Sequence, residues 1–336
     1  MIRIALDCFG GDHSPEANID GALPALERLP DLALILTGDE KLISEKLAGR
    51  EYDKARVEIA DAPEVIGCDE TPTVAIKQKK DSSLMRAVEL ARNDDTVDGI
   101  VTVGSTGALI AAATLRIGRI RGVKRPAFCP ILPTMKGGIV GVCDSGANVD
   151  ISLEMLTQFA RMGSLYLETV YGIERPRVAL LNIGVEETKG DELRKSAYPA
   201  LSAMEGLNFV GNMEARELLS GDYDLVVTDG FAGNVLIKST EGACLEMLKK
   251  LKRDIYSRTI NKIGAFLMRR MFAEEKAFMD YRNYGGSVLL GCKKTVVKGH
   301  GSSNDAAVAK CIEQAYLMRK GNLTERIGEA VERAEE

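Results

Sequence analysis

Residues 98–117 read DGIVTVGSTGALIAAATLRI, an apolar run that stops at a glycine-rich polar turn and is followed by a second apolar run. The run at 98–103 is continuous, as expected of a parallel strand that is buried on both faces, and 109–117 continues as a helix. In a parallel α/β sheet such a turn lies at the carboxyl end of its strand, where ligands bind. Its glycines let the backbone approach a ligand closely, and the helix start offers unpaired N–H groups to an anion. The stretch therefore predicts a strand–loop–helix unit with a site for an anionic group.

Six loops of this kind interrupt apolar runs along the chain. They are loop 1 (residues 7–14, DCFGGDHS), loop 2 (104–107, GSTG), loop 3 (144–148, DSGAN), loop 4 (182–187, NIGVEE), loop 5 (229–234, DGFAGN) and loop 6 (299–305, GHGSSND). Loops 1 and 6 contain the two histidines of the chain, His13 and His300. One such loop is weak evidence, but six together predict a single large site for a phosphate-like group.

Strand and helix patterns alternate from end to end. Strands are predicted at residues 2–7, 32–37, 98–103, 177–181 and 224–228, and the sequence Ser14-Pro15-Glu16 has the cap, the proline and the acid of a helix start. A long core helix is predicted from the spacing of Ile151, Met155, Phe159, Met162 and Tyr166, and two final helices at 303–320 and 322–334. We predict one large α/β domain over residues 1–336, with two interwoven subregions around one interrupted sheet.

Composition bounds the class of protein. The chain has 336 residues, of which 45% are hydrophobic and 28% charged, as in an ordinary folded soluble protein. A net charge of −5 argues against a nucleic-acid partner. Seven cysteines without a C-x-x-C pair are typical of the reducing cytosol, and Cys8 and Cys143 are predicted to be structural rather than nucleophilic. No signal-peptide pattern and no apolar run of membrane-spanning length is found, so a cytoplasmic location is expected.

Several common site patterns are missing. Loop 1 does not match G-x-G-x-x-G, no G-x-x-x-x-G-K-[ST] occurs, and Ser105 is not in a G-x-S-x-G turn. These absences argue against a dinucleotide cofactor, a P-loop nucleotide site and a serine hydrolase, and no cofactor is expected. Asp144, Asp150 and Asp229 have the oxygen ligands that Mg²⁺ prefers, but single loop aspartates are more often caps and turn formers, so no metal site is predicted.

Three positions are candidates for anion binding or proton transfer. Loop 2 has the form of a phosphate cradle, with two hydroxyls and several free N–H groups; the alternative is a tight turn with a capped helix. Lys189 follows a strand and precedes a helix, where it could act as a point charge on a phosphate or an oxyanion; otherwise it is a surface lysine paired with Glu186 or Glu187. His300 is flanked by glycines, which leaves little packing to explain it.

Residues 249–276 differ from the rest of the chain. They are helix-like throughout and contain nine basic and three acidic residues, a local charge of +6. Ile260, Ile263, Phe266, Leu267, Met271 and Phe272 add an apolar face. Two interpretations stay open: a helix pair at a dimer interface, and a basic amphipathic surface for an acidic protein or an anionic membrane. Both hold if the helices project from a dimer.

The ordered set of loops resembles the phosphate acyltransferases of bacterial phospholipid synthesis, the PlsX family, over essentially the whole chain. The matching segments are Ile4-Ala5-Leu6-Asp7 with Gly10-Gly11-Asp12, Gly104-Ser105-Thr106-Gly107-Ala108-Leu109, Arg125-Pro126, Asp144-Ser145-Gly146-Ala147-Asn148, Leu181-Asn182-Ile183-Gly184 through Lys189-Gly190, Gly211-Asn212, Asp229-Gly230-Phe231 with Gly233-Asn234, Glu241-Gly242, Leu289-Leu290-Gly291 and His300-Gly301. The family usually has methionine where this chain has Phe9, and asparagine where it has Ser105.

The resemblance implies a reaction in which inorganic phosphate attacks the thioester of a long-chain acyl group on acyl carrier protein, giving acyl phosphate. A phosphotransacetylase acting on short-chain acyl-CoA is the alternative. It also implies a Rossmann-like three-layer αβα sandwich similar to isocitrate/isopropylmalate dehydrogenases and phosphotransacetylases, a homodimer, and no nicotinamide or covalent acyl-enzyme. The basic region at 249–276, with Lys262, Arg269 and Arg270, then has acyl carrier protein and the anionic membrane as expected partners. A membrane glycerol-3-phosphate acyltransferase is expected to use the product.

Phosphate is already an anionic nucleophile, so the enzyme must hold it in line and stabilise the tetrahedral oxyanion. We predict two sets of residues for these tasks. The catalytic set is Lys189, His300, Asn234 and Asn182. The phosphate- or substrate-binding set is Asp7, Gly10, Gly11, Asp12, Gly104, Ser105, Thr106, Gly107, Asp144, Asn148, Asp229 and Gly233.

Overall fold

Two β-sheets form the framework of the molecule. A computed structural model describes residues 1–278 and 284–335. The first sheet has seven strands in the order β3-β2-β1-β4-β12-β11-β5. Their bounds are β1 Ile2–Asp7, β2 Leu32–Gly38, β3 Val57–Asp61, β4 Gly99–Thr102, β5 Ala127–Cys129, β11 Ser287–Leu290 and β12 Thr295–Lys298. Six of these strands run in the same direction, and only β11 runs the opposite way, antiparallel to both β12 and β5.

The second sheet has five strands in the order β6-β7-β10-β8-β9. They span β6 Ile131–Pro133, β7 Ile139–Cys143, β8 Arg177–Asn182, β9 Asn208–Glu214 and β10 Leu225–Val227. Only β6 is antiparallel to its neighbour. The chain passes between the sheets at Pro130, which separates β5 from β6. The structure thus has two sheets where the sequence led us to expect one interrupted sheet, because β5 and β6 are three-residue strands joined by a proline that cannot donate a ladder hydrogen bond.

Helices cover both faces of the sheets. They are α1 Glu16–Arg28, α2 Glu40–Leu47, α3 Pro72–Gln78, α4 Ser83–Asn93, α5 Thr106–Ala112, α6 Leu153–Tyr171, α7 Glu192–Ser202, α8 Gly230–Ser257, α9 Thr259–Leu267, α10 Arg269–Phe278, α11 Asp305–Lys320 and α12 Leu323–Glu335. Residues Ala113–Ile117 continue α5 as a wider π-helical turn. All the strands and helices predicted from the sequence are present within a few residues, and the predicted three-layer αβα fold is confirmed. The predicted cap at Ser14 is wrong, because Pro15 holds the N-cap position of α1 and the Ser14 hydroxyl donates to carbonyls of loop 1 instead.

The alternation of side chains along the strands explains the layers. In β1, Ile4 and Leu6 belong to one apolar cluster with α1, α6 and α11, whereas Ala5 belongs to another with α3, α4 and α5. Successive side chains of a strand point to opposite faces, so the first sheet lies between two helical layers. The cluster that contains Ile4 also includes Leu180 and Leu225 of the second sheet, and α6 joins the two sheets through it. The two sheets therefore share one apolar core.

Candidate active site

A cavity of about 530 Å³ lies where the carboxyl ends of the two sheets face each other. Loop 2, Ser145 of loop 3, Asn234 of loop 5 and residues 299–301 of loop 6 line it, together with Lys298, Lys238 and Glu241. The register of the sheets explains this convergence. Lys298 lies opposite Thr102 in the β12–β4 pair, which sets loops 2 and 6 side by side. Cys143 lies opposite Val227 in the β7–β10 pair, which does the same for loops 3 and 5.

Loop 1 supports this cavity from behind. The Gly10 backbone lies so close to Gly104 that a Cβ at Gly10 would be 2.6 Å from the Gly104 nitrogen, so only glycine fits there. The Asp12 N–H donates to the Gly301 carbonyl at 2.8 Å, tying loop 1 to loop 6. The Asp7 carboxyl is buried and accepts from the Thr102 hydroxyl at 2.7 Å. Burial raises the pKa of Asp7, and the hydrogen bonds oppose that shift. Asp7, Gly10, Gly11 and Asp12 therefore do not line the cavity.

Loop 2 combines a cap with exposed backbone. The Ser105 side chain accepts from the Ala108 N–H at 3.4 Å, as a helix N-cap does, and Ser105 to Gly107 line the cavity. The alternative interpretation of loop 2 as a capped turn is thus correct for the Ser105 hydroxyl. Thr106 and Gly107, the first residues of α5, also line the cavity, and the N–H groups of a first helical turn have no partner within the helix.

Asp144 organises loop 3 instead of facing the cavity. Its buried carboxylate accepts from the N–H groups of Phe128 (2.9 Å), Gly146 (3.2 Å), Ala147 (3.1 Å) and Asn148 (2.7 Å), and from the Asn148 side-chain amide (2.9 Å). Burial raises the pKa of Asp144, and the hydrogen bonds from Phe128, Ala147 and Asn148 oppose that shift. The bond to Phe128 links the second sheet to the first. Asp144 and Asn148 therefore shape the cavity through the loop that carries Ser145.

Loop 5 begins α8 and packs directly on loop 3. The Gly230 N–H donates to the Asn148 carbonyl at 2.7 Å, and a Cβ at Gly233 would be 2.0 Å from the Asp144 carbonyl oxygen. Asp229 caps the helix by accepting from the Ala232 N–H at 2.8 Å, and it forms an ion pair with Arg194. Asp229 and Gly233 are therefore structural neighbours of the cavity, while Asn234 reaches it.

Asn182 and Ile183 of loop 4 line a second cavity of about 830 Å³, together with Leu181 of β8 and residues of α8 such as Phe231 and Leu236. Asn182 accepts from the Ile183 N–H at 2.8 Å and donates to the Lys189 carbonyl at 3.0 Å, so its amide holds the turn that follows β8. The Lys189 side chain is exposed and lines neither cavity. The structure therefore separates Asn182 and Lys189 from His300 and Asn234, and the six loops serve two cavities instead of one.

His300 lies at the mouth of the first cavity. Its Nδ1 accepts from the Ser302 N–H at 3.2 Å and is 2.9 Å from the Ser302 hydroxyl. Because Nδ1 is an acceptor, the neutral imidazole carries its proton on Nε2. Partial burial lowers the pKa of His300, and the charges of Lys238 and Lys298 add to that effect. The imidazole is therefore neutral at pH 7 and can donate a hydrogen bond from Nε2.

Lys298 is a cavity residue that the sequence reasoning missed. Its side chain is 7% exposed, and burial lowers its pKa to about 8. It is the last residue of the apolar strand β12, directly before loop 6. The sequence signal that could have identified Lys298 is a charged residue at the end of a buried apolar strand, because the end of such a strand lies at the same edge of the sheet as the loops.

The remaining chemical candidates are not part of the cavity. The thiols of Cys8 and Cys143 are buried, and burial raises the pKa of each well above its usual value, so neither is a thiolate at neutral pH. Within residues 1–278 and 284–335, no three His, Cys, Asp or Glu side chains are grouped so that they could hold a metal ion.

The basic region at 249–276 is almost wholly exposed. The buried residues of α8 all lie in its first two turns, ending at Ile237, and α9 has none. Phe266 and Leu267 are 64% and 76% exposed, and the Arg269 guanidinium lies over the Phe266 ring at 4.6 Å. The side chain of Lys276 lies outside the described residues. In the described part of the chain, no helix is long and apolar enough to cross a membrane.

The relatives found by comparison with known proteins agree with one another. The profile of the family described as "Fatty acid synthesis protein" matches residues 2–326. A phosphate acyltransferase of Brevibacillus brevis is 44% identical over 332 residues, covering 99% of this chain and 98% of the relative. One of Clostridium acetobutylicum is 43% identical over 329 residues, covering 98% of each.

Solved structures with the same fold are more distant in sequence. A phosphotransacetylase from Streptococcus pyogenes superposes with a TM-score of 0.58 at 16% identity, covering 95% of this chain and 94% of the other. A branched-chain phosphotransacylase from Enterococcus faecalis gives a TM-score of 0.56 at 13% identity, covering 94% and 99%. At such identities these structures show the fold alone.

Proposed function

This chain belongs to the PlsX family of phosphate acyltransferases, and we propose that it converts long-chain acyl-acyl carrier protein and inorganic phosphate to acyl phosphate and free carrier protein. The observation that carries the proposal is the cavity of about 530 Å³, in which glycine-rich loops from both sheets meet His300 and Asn234. Such a site suits a small anion held against an acyl group.

The reaction needs positioning more than a new nucleophile. A phosphate oxygen attacks the thioester carbonyl carbon, the C–S bond breaks, and the proton of hydrogen phosphate ends on the thiol. Backbone N–H groups of loop 2 and the amide of Asn234 are donors for the phosphate and the oxyanion. His300, with its proton on Nε2, serves as a hydrogen-bond donor to phosphate or to the departing sulfur.

The long-chain carrier substrate is favoured over a short acyl-CoA by the basic region. Its exposed apolar residues and arginines form a surface that an enzyme of small soluble thioesters does not need. An acidic carrier protein and an anionic membrane both match this charge. We further propose that the protein is a homodimer, that it contacts the membrane peripherally, and that it delivers acyl phosphate to a membrane glycerol-3-phosphate acyltransferase.

The substrate is tested directly with purified protein. Palmitoyl-carrier protein and inorganic phosphate, without added metal or nucleotide, are expected to give free carrier thiol and an acyl phosphate that hydroxylamine traps as a hydroxamate. Omitting phosphate should stop thiol release. Turnover of acetyl-CoA with no reaction of the acyl-carrier protein would identify a phosphotransacetylase instead.

The basic region makes a separate prediction. Arg269→Glu combined with Arg270→Glu should weaken binding to anionic vesicles by about tenfold or more, because each basic residue near an anionic surface contributes about 1 kcal/mol. Vesicle co-sedimentation at fixed ionic strength measures the effect. A matched control is Lys54→Glu with Lys80→Glu, which changes the net charge equally on exposed residues elsewhere. Equal vesicle binding by both double variants would contradict a membrane-binding role for residues 249–276 and would favour dimer packing as their role.

A further inference from the structure

Lys298 occupies an unusual position for a lysine. It ends β12 in the middle of the first sheet, and the Gly299 N–H that follows donates to the Thr102 carbonyl at 2.8 Å. This pairing fixes Lys298 beside the strand that leads into loop 2, on one side of Thr102. Asp7 lies on the other side of Thr102 and accepts from its hydroxyl. The lysine is therefore held by a central strand instead of a loop.

The Lys298 ammonium is buried without a close counter-charge. Its Nζ donates to the Gly299 carbonyl, and among the described residues no carboxylate lies within 4.0 Å of it. A buried cation without an ion partner is costly. The other lysine of the cavity, Lys238, is exposed and forms a 2.8 Å ion pair with Glu241. Lys298 is thus the cavity cation whose charge an incoming anion would balance.

We propose that the Lys298 ammonium binds the inorganic phosphate that attacks the thioester. The inference rests on the proposed function for the identity of the anion. Lys298 keeps its proton throughout: it holds the phosphate between loops 2 and 6 and screens its charge from the thioester carbonyl. A point charge on a fixed strand positions the nucleophile and costs no reorganisation during the reaction.

The first test measures phosphate binding without catalysis. Titration calorimetry with inorganic phosphate should show binding to the wild-type protein and an affinity lower by about 100-fold or more in Lys298→Met, as expected when one partner of a buried, hydrogen-bonded charge pair is removed. Methionine has similar length and no charge, so the fold should be retained. Lys294→Met, immediately before β12, is the matched control, because Lys294 donates to the Asp95 and Val97 carbonyls and does not line the cavity.

The second test uses steady-state kinetics and pH. Lys298→Met should raise KM for phosphate far more than KM for the acyl donor, and Lys298→Arg should recover part of the loss. Since burial lowers the pKa of Lys298 to about 8, phosphate affinity of the wild type should decline as pH rises through that value, and this decline should be absent in Lys298→Arg. The titratable groups that act on Lys298 are Asp7, Asp12, Cys68, Cys311 and His300, and Glu70, Lys238 and Glu241 line the same cavity.

The outcomes separate this inference from the proposed function. Unchanged phosphate affinity in Lys298→Met, or no phosphate binding by the wild type, overturns the role of Lys298. Failure of the wild type to use acyl-carrier protein, with phosphate binding still dependent on Lys298, overturns only the acyl donor. If Lys298→Met unfolds, Lys298→Arg is the deciding variant. Measurable phosphate binding without the decline at high pH supports the role of Lys298, and an unchanged decline refutes it.

Discussion

His300→Ala is expected to lower the rate of acyl phosphate formation by about 100-fold or more, the lower end of what one hydrogen-bond donor to the developing charge of the transition state contributes. The imidazole has its proton on Nε2, because Nδ1 accepts from the Ser302 N–H. Burial and the neighbouring lysines lower its pKa, so the neutral donor form persists to lower pH than for an ordinary histidine. The measurement is the initial rate of carrier thiol release at saturating phosphate.

Two further variants make this result specific. His300→Gln places an amide N–H near the position of Nε2 and should retain more activity than alanine. His13→Ala removes the other histidine of the chain, which is exposed in loop 1 and does not line the cavity, and should leave the rate close to wild type. Equal rates for His300→Ala and His13→Ala would remove His300 from the chemistry.

The strand–loop–helix units were predictable because their signals are local. At loop 2, an apolar strand, a glycine and a serine cap follow each other within a few residues, and the structure has β4, Ser105 as N-cap and α5 in that order. The same holds at loop 5, where Asp229 caps α8. Caps and buried strands depend on neighbouring residues along the chain, so the sequence contains what determines them.

The grouping of the loops was not predictable in the same way. Loop 6 meets loop 2 because residue 298 pairs with residue 102, and this register depends on the packing of the whole first sheet. The division into two sheets follows from short strands on either side of Pro130. Asp7 and Asp144 have the residue type of ligands, but they accept hydrogen bonds from their own surroundings. Lys298 is the converse case, a strand residue that reaches the cavity.

Gly233→Ala and Gly242→Ala add one methyl group to the same helix, α8, and are expected to have opposite effects. Helix propensity alone predicts that each stabilises the protein by up to about 1 kcal/mol. At Gly242 a Cβ would meet nothing within 4 Å, so this stabilisation should be observed. Urea denaturation of the two variants and the wild type, followed by circular dichroism, measures the free energy of unfolding.

At Gly233 the added Cβ would be 2.0 Å from the Asp144 carbonyl oxygen and 3.0 Å from the Thr228 side chain. The Asp144 backbone cannot yield easily, because its carboxylate and loop 3 are tied to the first sheet through Phe128. The steric clash of the new methyl group with the backbone should therefore outweigh the gain in helix propensity. We expect the free energy of unfolding to fall by about 3 kcal/mol, the upper end of the usual range for a methyl group inserted into a packed core. The displaced loops carry Ser145 and Asn234, so acyl phosphate formation should fall as well. Equal stability of the two variants would show that α8 can move away from loop 3 and that the two loops are not rigidly joined at the cavity.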